Sequence, residues 1–212
     1  MRMSEASREV SGLYGITPDH DSASWPGLSV KIQAFLHSGG SVLQYRNKSK
    51  KNYIDLKELI KLRESCRESG VVFIVNDDLS LAIKTAADGV HIGKEDCTLL
   101  EARKALPHGI IGVSCYNRLD LALEAQENGA DYVAFGSFFR SKTKPQAVKA
   151  EIGLLRQARE KINLPIVAIG GITPENGAEL LRNGAHSLAV INELFACNDV
   201  CDSTQKFIRL FH

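Results

Sequence analysis

The sequence predicts a single (β/α)8 TIM barrel, and three observations carry that expectation. Eight short runs rich in Val, Ile and Phe alternate with longer helix-like segments along the 212 residues. At roughly 25 residues per unit, eight βα units suit a closed barrel at the small end of that class. The runs are near-continuously apolar, as strands of a parallel sheet covered on both faces are. An open doubly wound sheet would need fewer strands or an added domain, and no G-x-G-x-x-G follows the first run.

The elements follow in order. The first strand is expected in "GLYGITP" (12–18) and the second in "SVLQYRN" (41–47). Next, "NYIDLKELIKLRESCRESG" sets Leu56, Leu59, Ile60 and Cys66 at helical spacing and stops at Gly70. Strands three and four are "VVFIVND" (71–77) and "GVHIG" (89–93). The segment "TLLEARKALP" can begin at a Thr98 cap with Glu101 three residues on, the capping-box spacing. Strands five, six and seven are "IIGVSC" (110–115), "YVAFGSF" (132–138) and "PIVAIGG" (165–171). A helix then starts at Thr173 with Pro174 in its first position and ends near Gly184. The eighth strand is "SLAVIN" (187–192). Phrases such as "AADGV", "NGADYV" and "NGAHSL" read as helix stops followed by re-entry into the sheet. Residues 1–10 read as a polar tail and 11–212 as the barrel domain.

Composition narrows the function classes. Hydrophobic residues make up 44% and charged residues 24%, and 26 basic against 25 acidic residues leave a net charge of +1. That balance gives no reason to expect nucleic acid or an anionic membrane surface as partner. There is no signal-length apolar stretch at the start and no apolar run of about 18 residues, so no leader or membrane span is expected. The five cysteines form no C-x-x-C pair, which fits reduced thiols in a cytoplasmic protein. Cys115 reads as a small buried hydrophobe rather than a nucleophile.

Any cationic site must therefore be local. In "SVLQYRNKSKK", Gln44, Arg46 and Lys48 fall at alternate positions and point to one face of the second strand with Val42, while Leu43 and Tyr45 point to the other. The ends of the other strands also carry polar groups: Asn76, Asp77 and Asp78, then Glu95 and Asp96, Ser114, then Ser141, Thr143 and Lys144, Gly170 and Gly171, and Asn192. In a barrel of this kind these ends meet on the working face. Arg46, Lys48 and Lys144 with the Ser141 and Thr143 hydroxyls suit phosphate oxygens, and Asp77 and Asp96 suit Mg²⁺ held together with substrate phosphates. Each aspartate could instead cap a helix, but Asp78 and Thr98 are better placed to do so. "AIGGITPEN" allows a second anion to approach a bare backbone. Two phosphate sites point to a transferase with two phosphorylated substrates. The histidines are poor acid–base candidates: His91 is expected to be packed or hydrogen-bonded, and His20, His37, His108, His186 and His212 to lie on the surface.

Together "QYRNK", "VNDD", "HIGKED", "GVSC", "SKTKP" and "AIGGITPEN" resemble the thiamine-phosphate synthase family from about Leu13 to Phe195. The resemblance implies a Mg²⁺-assisted union of a hydroxymethylpyrimidine diphosphate with a thiazole phosphate, in which pyrophosphate leaves first and no general base on the protein is required. It assigns Gln44, Arg46, Lys48, Asn76, Ser114 and Lys144 to the pyrimidine diphosphate, with Arg46, Lys48, Ser114 and Lys144 as catalytic groups. Asp77 and Asp96 match the metal ligands, and Ser141, Thr143, Gly171, Ile191 and Asn192 match the thiazole-phosphate cradle. Ser141 replaces the commoner Thr, Arg140 a frequent Pro, and Asn192–Glu193 a Ser and a small residue. A thiazole tautomerase would not need the diphosphate and metal set; a non-catalytic thiamine-phosphate binding protein would keep the pocket without turnover. Assembly into a homo-oligomer is left open.

Overall fold

The computed structural model describes residues 10–49, 55–140, 146 and 148–212. Eight strands close into a barrel in sequence order: β1 (Gly12–Ile16), β2 (Val42–Tyr45), β3 (Val72–Asn76), β4 (Gly89–Ile92), β5 (Ile110–Tyr116), β6 (Tyr132–Gly136), β7 (Ile166–Ile169) and β8 (Ser187–Val190). Every neighbouring pair is parallel, and β8 returns to β1 with Leu13 opposite Leu188. The helices are α1 (Trp25–His37), α2 (Leu56–Glu68), α3 (Leu79–Lys84), α4 (Leu99–Ala105), α5 (Leu119–Glu127), α6 (Gly153–Lys161), α7 (Pro174–Arg182), α8 (Asn192–Phe195) and α9 (Val200–Ile208). No described helix is long and apolar enough to cross a membrane.

Strand parity divides the core in two. Inside the barrel lie Tyr14, Ile16, Val42, Val72, Ile74, Tyr132, Val167 and Ala189, with Val10 packed among them. Between sheet and helices lie Leu13, Leu43, Tyr45, Phe73, Val75, Phe135 and their helical partners. Residues at period two thus fill two separate layers.

Most strands are a residue or two shorter than the apolar runs predict, because the runs continue into loops whose polar groups turn to the working face. The caps form where expected. Thr98 Oγ1 accepts from the Glu101 N–H at 3.2 Å while Glu101 Oε2 accepts from the Thr98 N–H at 2.8 Å. Asp78 Oδ1 accepts from the Leu81 N–H at 2.8 Å, which leaves Asp77 to other work. Three expectations are corrected. The buried face of α2 is Leu59, Leu62 and Cys66, whereas Leu56 and Ile60 face outward, since the stripe runs i, i+3, i+7. His20 is not on the surface: it is 6% exposed, wedged against Trp25 and Tyr45 with ring centroids 5.3 and 5.5 Å away. His186 is likewise half-buried, its Nδ1 accepting from the Ile166 N–H at 2.9 Å.

Candidate active site

The C-terminal ends of the strands surround one cavity of about 710 Å³. Gln44, Arg46, Lys48, Asn76, Asp77 and Asp96 line it, as do Ser114, Gly171, Ile191 and Asn192. Ser141, Thr143 and Lys144, expected in the same place, lie outside the described residues.

The floor is a hydrogen-bonded chain that crosses the barrel. Gln44 Nε2 donates to Tyr14 Oη at 2.9 Å. Tyr14 Oη lies 2.8 Å from Tyr132 Oη, which is 2.9 Å from His91 Nδ1, and His91 Nε2 is 2.8 Å from Ser114 Oγ. The amide nitrogen can only donate, so Gln44 feeds a proton into the chain at Tyr14, and each later link joins hydroxyl or imidazole groups that can donate or accept. Ser114, at the far end of the chain, presents its hydroxyl to the cavity. Burial pushes both phenols well above the usual tyrosine range, so they act as neutral links. The His91 ring stacks on Tyr132 with centroids 5.5 Å apart. The result is a buried aromatic floor, with the Tyr14 and Tyr132 rings tilted by 57°, an amide at one end and a hydroxyl at the other. His91 is thus a bonded structural histidine, as expected, but Tyr14 and Tyr132 were not foreseen. Gly112 makes room for the chain: a Cβ there would overlap the Tyr132 ring.

The cationic edge stands on β1 and β2. β2 ends at Tyr45, yet Arg46 and Lys48 keep the parity of Gln44 because side chains carry the pairing onward. The buried Thr17 Oγ1 accepts from the Arg46 N–H and donates to the Arg46 carbonyl, both at 2.8 Å. Asn47 Nδ2 donates to the His20 carbonyl at 3.0 Å. Asp19 Oδ1 accepts from Arg46 Nη1 at 2.8 Å and from the Lys48 N–H at 2.7 Å.

The acidic edge faces it. Lys48 Nζ lies 2.9 Å from Asp77 Oδ2, so one expected phosphate ligand is paired with one expected metal ligand. Asp77 adopts φ 63°, a left-handed backbone that turns its side chain back toward the cavity. Asp96 Oδ2 accepts from the Gly93 N–H at 2.7 Å. Burial, with the neighbouring Asp77 carboxyl, holds the Asp96 carboxyl above its usual range. Two crowded carboxylates are a hard oxygen donor pair and fit a Mg²⁺ ion that takes its other ligands from phosphates and water. Among the described residues no group of three or more His, Cys, Asp or Glu is placed to hold a metal ion.

The opposite edge is nearly bare backbone. Gly170 and Gly171 have φ of 107° and 61°, and a Cβ on Gly171 would overlap the Arg140 carbonyl. Ile191 and Asn192 follow at the end of β8, and Glu193 brings a carboxylate to the same wall. Cys115 is fully buried, and burial pushes its thiol up to about 12, which rules it out as a ready nucleophile.

The family model described as thiamine monophosphate synthase matches residues 13–194. A thiamine-phosphate synthase of Nitrosospira multiformis is 45% identical over 205 residues, covering 96% of this chain and 87% of that protein. One of Thiobacillus denitrificans is 46% identical over 204 residues, 94% of each. Among solved structures, thiamine phosphate pyrophosphorylase from Pyrococcus furiosus superposes with a TM-score of 0.80 at 32% identity, covering 96% of both chains.

Proposed function

The chain belongs to the thiamine monophosphate synthase family, and from that premise we propose that it joins a hydroxymethylpyrimidine diphosphate to a thiazole phosphate, releasing pyrophosphate and forming thiamine phosphate. It is a transferase. The observation that carries the reading is the meeting, over one aromatic floor, of Arg46 and Lys48 with the Asp77–Asp96 pair. A pocket with cations and hard carboxylates side by side suits a diphosphate that arrives with a divalent cation.

The floor supports the pyrimidine. The Gln44 amide and Asn76, held at the margin of that floor, suit ring nitrogens and an exocyclic amine. Ser114, whose hydroxyl lines the cavity, donates to a diphosphate oxygen. Arg46 and Lys48 stabilise the negative charge that grows on the departing pyrophosphate, and Lys144 joins them on the strength of the family resemblance. Bound at Asp77 and Asp96, Mg²⁺ would supply further neutralisation of that charge. The bond from the pyrimidine methylene to oxygen breaks, the electron pair leaves with pyrophosphate, and the thiazole nitrogen donates the pair that forms the new C–N bond. No proton is removed from the thiazole nitrogen, so no protein base is called for. That agrees with a His91 committed at both ring nitrogens.

The thiazole phosphate, with the carboxylated form expected, lies against Gly171, Ile191 and Asn192, where bare backbone allows close approach; the carboxylated form also loses CO2, and the electron pair of that C–C bond takes up a proton from solvent. Ser141 and Thr143 complete that cradle by resemblance. The proposal places the reaction in the cytoplasm, in keeping with five free cysteines. Purified protein given both substrates and Mg²⁺ is expected to release pyrophosphate in step with thiamine phosphate. Ligand binding without turnover would overturn the enzyme reading in favour of a binding protein.

A further inference from the structure

One carboxylate oxygen grips both residues of the cationic edge. Asp19 Oδ1 accepts from Arg46 Nη1 at 2.8 Å and from the Lys48 N–H at 2.7 Å. Asp19 is not among the residues that line the cavity, whereas Arg46 and Lys48 are. Its side chain is 46% exposed and that of Arg46 only 10%, so the aspartate holds the guanidinium from the outer side. A guanidinium carries five N–H donors, and the bond at Nη1 leaves the others for oxygens in the cavity.

The fold has little need of this contact. The loop after β1 and the tail of β2 are already clasped by the Thr17–Arg46 and His20–Asn47 pairs. A half-exposed ion pair adds little to stability. What the contact does fix is direction: it removes rotamer freedom from a long side chain before any ligand arrives. We propose that Asp19 is a positioning residue, which pre-orients the Arg46 guanidinium and the Lys48 backbone for the leaving diphosphate. The proposal rests on the reading of Arg46 as a diphosphate ligand.

Charge counting and positioning make opposite predictions. By charge alone, removing a carboxylate beside an anion site should tighten anion binding. By positioning, it should weaken it. The test is calorimetric binding of inorganic pyrophosphate, with Mg²⁺, to the full chain as wild type, Asp19→Ala, Arg46→Gln and the double variant. Asp19 is half-exposed and its ion pair adds little to stability, so the melting temperature of Asp19→Ala is expected within about 2 °C of wild type. Asp19→Ala removes the acceptor and is expected to weaken pyrophosphate binding roughly tenfold, the scale of one hydrogen bond to a charged group. It should raise KM for the pyrimidine diphosphate and leave KM for the thiazole phosphate unchanged. In the Arg46→Gln background the Asp19 effect should largely vanish, because both act through one guanidinium. Equal or tighter binding by Asp19→Ala, or full additivity in the double variant, would overturn the proposal. Binding indifferent to Arg46→Gln would instead strike the reading of Arg46 itself.

Discussion

The phenolic oxygens of Tyr14 and Tyr132 lie 2.8 Å apart in the barrel interior, joining residues 118 positions apart in the chain. Through them the Gln44 amide on β2 is tied to the Ser114 hydroxyl on β5. Tyr132→Phe cuts the chain at its centre and takes one buried hydrogen-bond partner each from His91 Nδ1 and the Tyr14 hydroxyl. We expect a loss of about 1–3 kcal/mol in stability, read by denaturant unfolding. Turnover should suffer through a raised KM for the pyrimidine diphosphate with KM for the thiazole phosphate held. An unchanged KM for both would mean that the chain does not orient Gln44 or Ser114.

Gly112→Ala tests the same chain from its packing. The added methyl would meet the Tyr132 ring, fixed by its neighbours on both sides. Overpacking of this kind costs about 1–3 kcal/mol. The expected signature is that Gly112→Ala and Tyr132→Phe are non-additive in unfolding free energy, since both disturb one ring. Simple additivity would show that the strand yields and the ring stays.

The barrel itself was legible because eight apolar runs with helix stops between them admit few topologies. Gln44, Arg46 and Lys48 were legible because a period of two survives the end of β2. Asp77 and Asp96 could be placed because each closes a βα turn on the working face. Tyr14 and Tyr132 were not readable in the same way. Within "GLYGI" and "DYVAF" they look like ordinary barrel filling, and only closure of the sheet brings their hydroxyls together. His20 was expected outside because it falls in the loop after the first strand; no local pattern shows that Trp25 and Tyr45 will close over it. Asp19 was missed for a related reason, since its partners lie 27 and 29 residues away.

His20 gives a pH dependence with a definite sign. Burial lowers its pKa below the ordinary value of 6.5, against the opposing pull of the Pro18 carbonyl and the charges of Asp19 and Asp21. A depressed folded-state value means that the unfolded chain binds the proton more readily. His20 therefore contributes stability that is fully present above about pH 6.5 and is lost as pH falls toward its lowered folded value. Unfolding free energies measured from pH 7.5 down to 5 should fall more steeply for wild type than for His20→Gln, which cannot titrate. Parallel curves would show that another group controls this range.

The two carboxylates of the acidic edge should not respond alike. Asp77 is already balanced by Lys48 at 2.9 Å, whereas Asp96 sits above its usual range because burial and the Asp77 carboxyl disfavour its charge. In metal-free buffer at neutral pH, Asp96→Asn removes a charge that the fold resists. Its melting temperature should equal or exceed that of wild type. Asp77→Asn removes the partner of Lys48 and should not stabilise. In turnover the order changes, because either substitution takes one oxygen ligand from a cation that the substrate alone cannot hold as well. Both variants are expected to shift half-saturation to higher Mg²⁺ by roughly tenfold, equivalent to about 1.4 kcal/mol. Only Asp77→Asn should also change KM for the pyrimidine diphosphate, since it releases the Lys48 ammonium from its present partner. Activity against Mg²⁺ concentration, at fixed saturating substrates, measures the first effect, and substrate titration at saturating Mg²⁺ measures the second. Wild-type Mg²⁺ dependence in both variants would remove the pair from the metal site, whereas an effect of Asp96→Asn alone would assign Asp77 to holding Lys48.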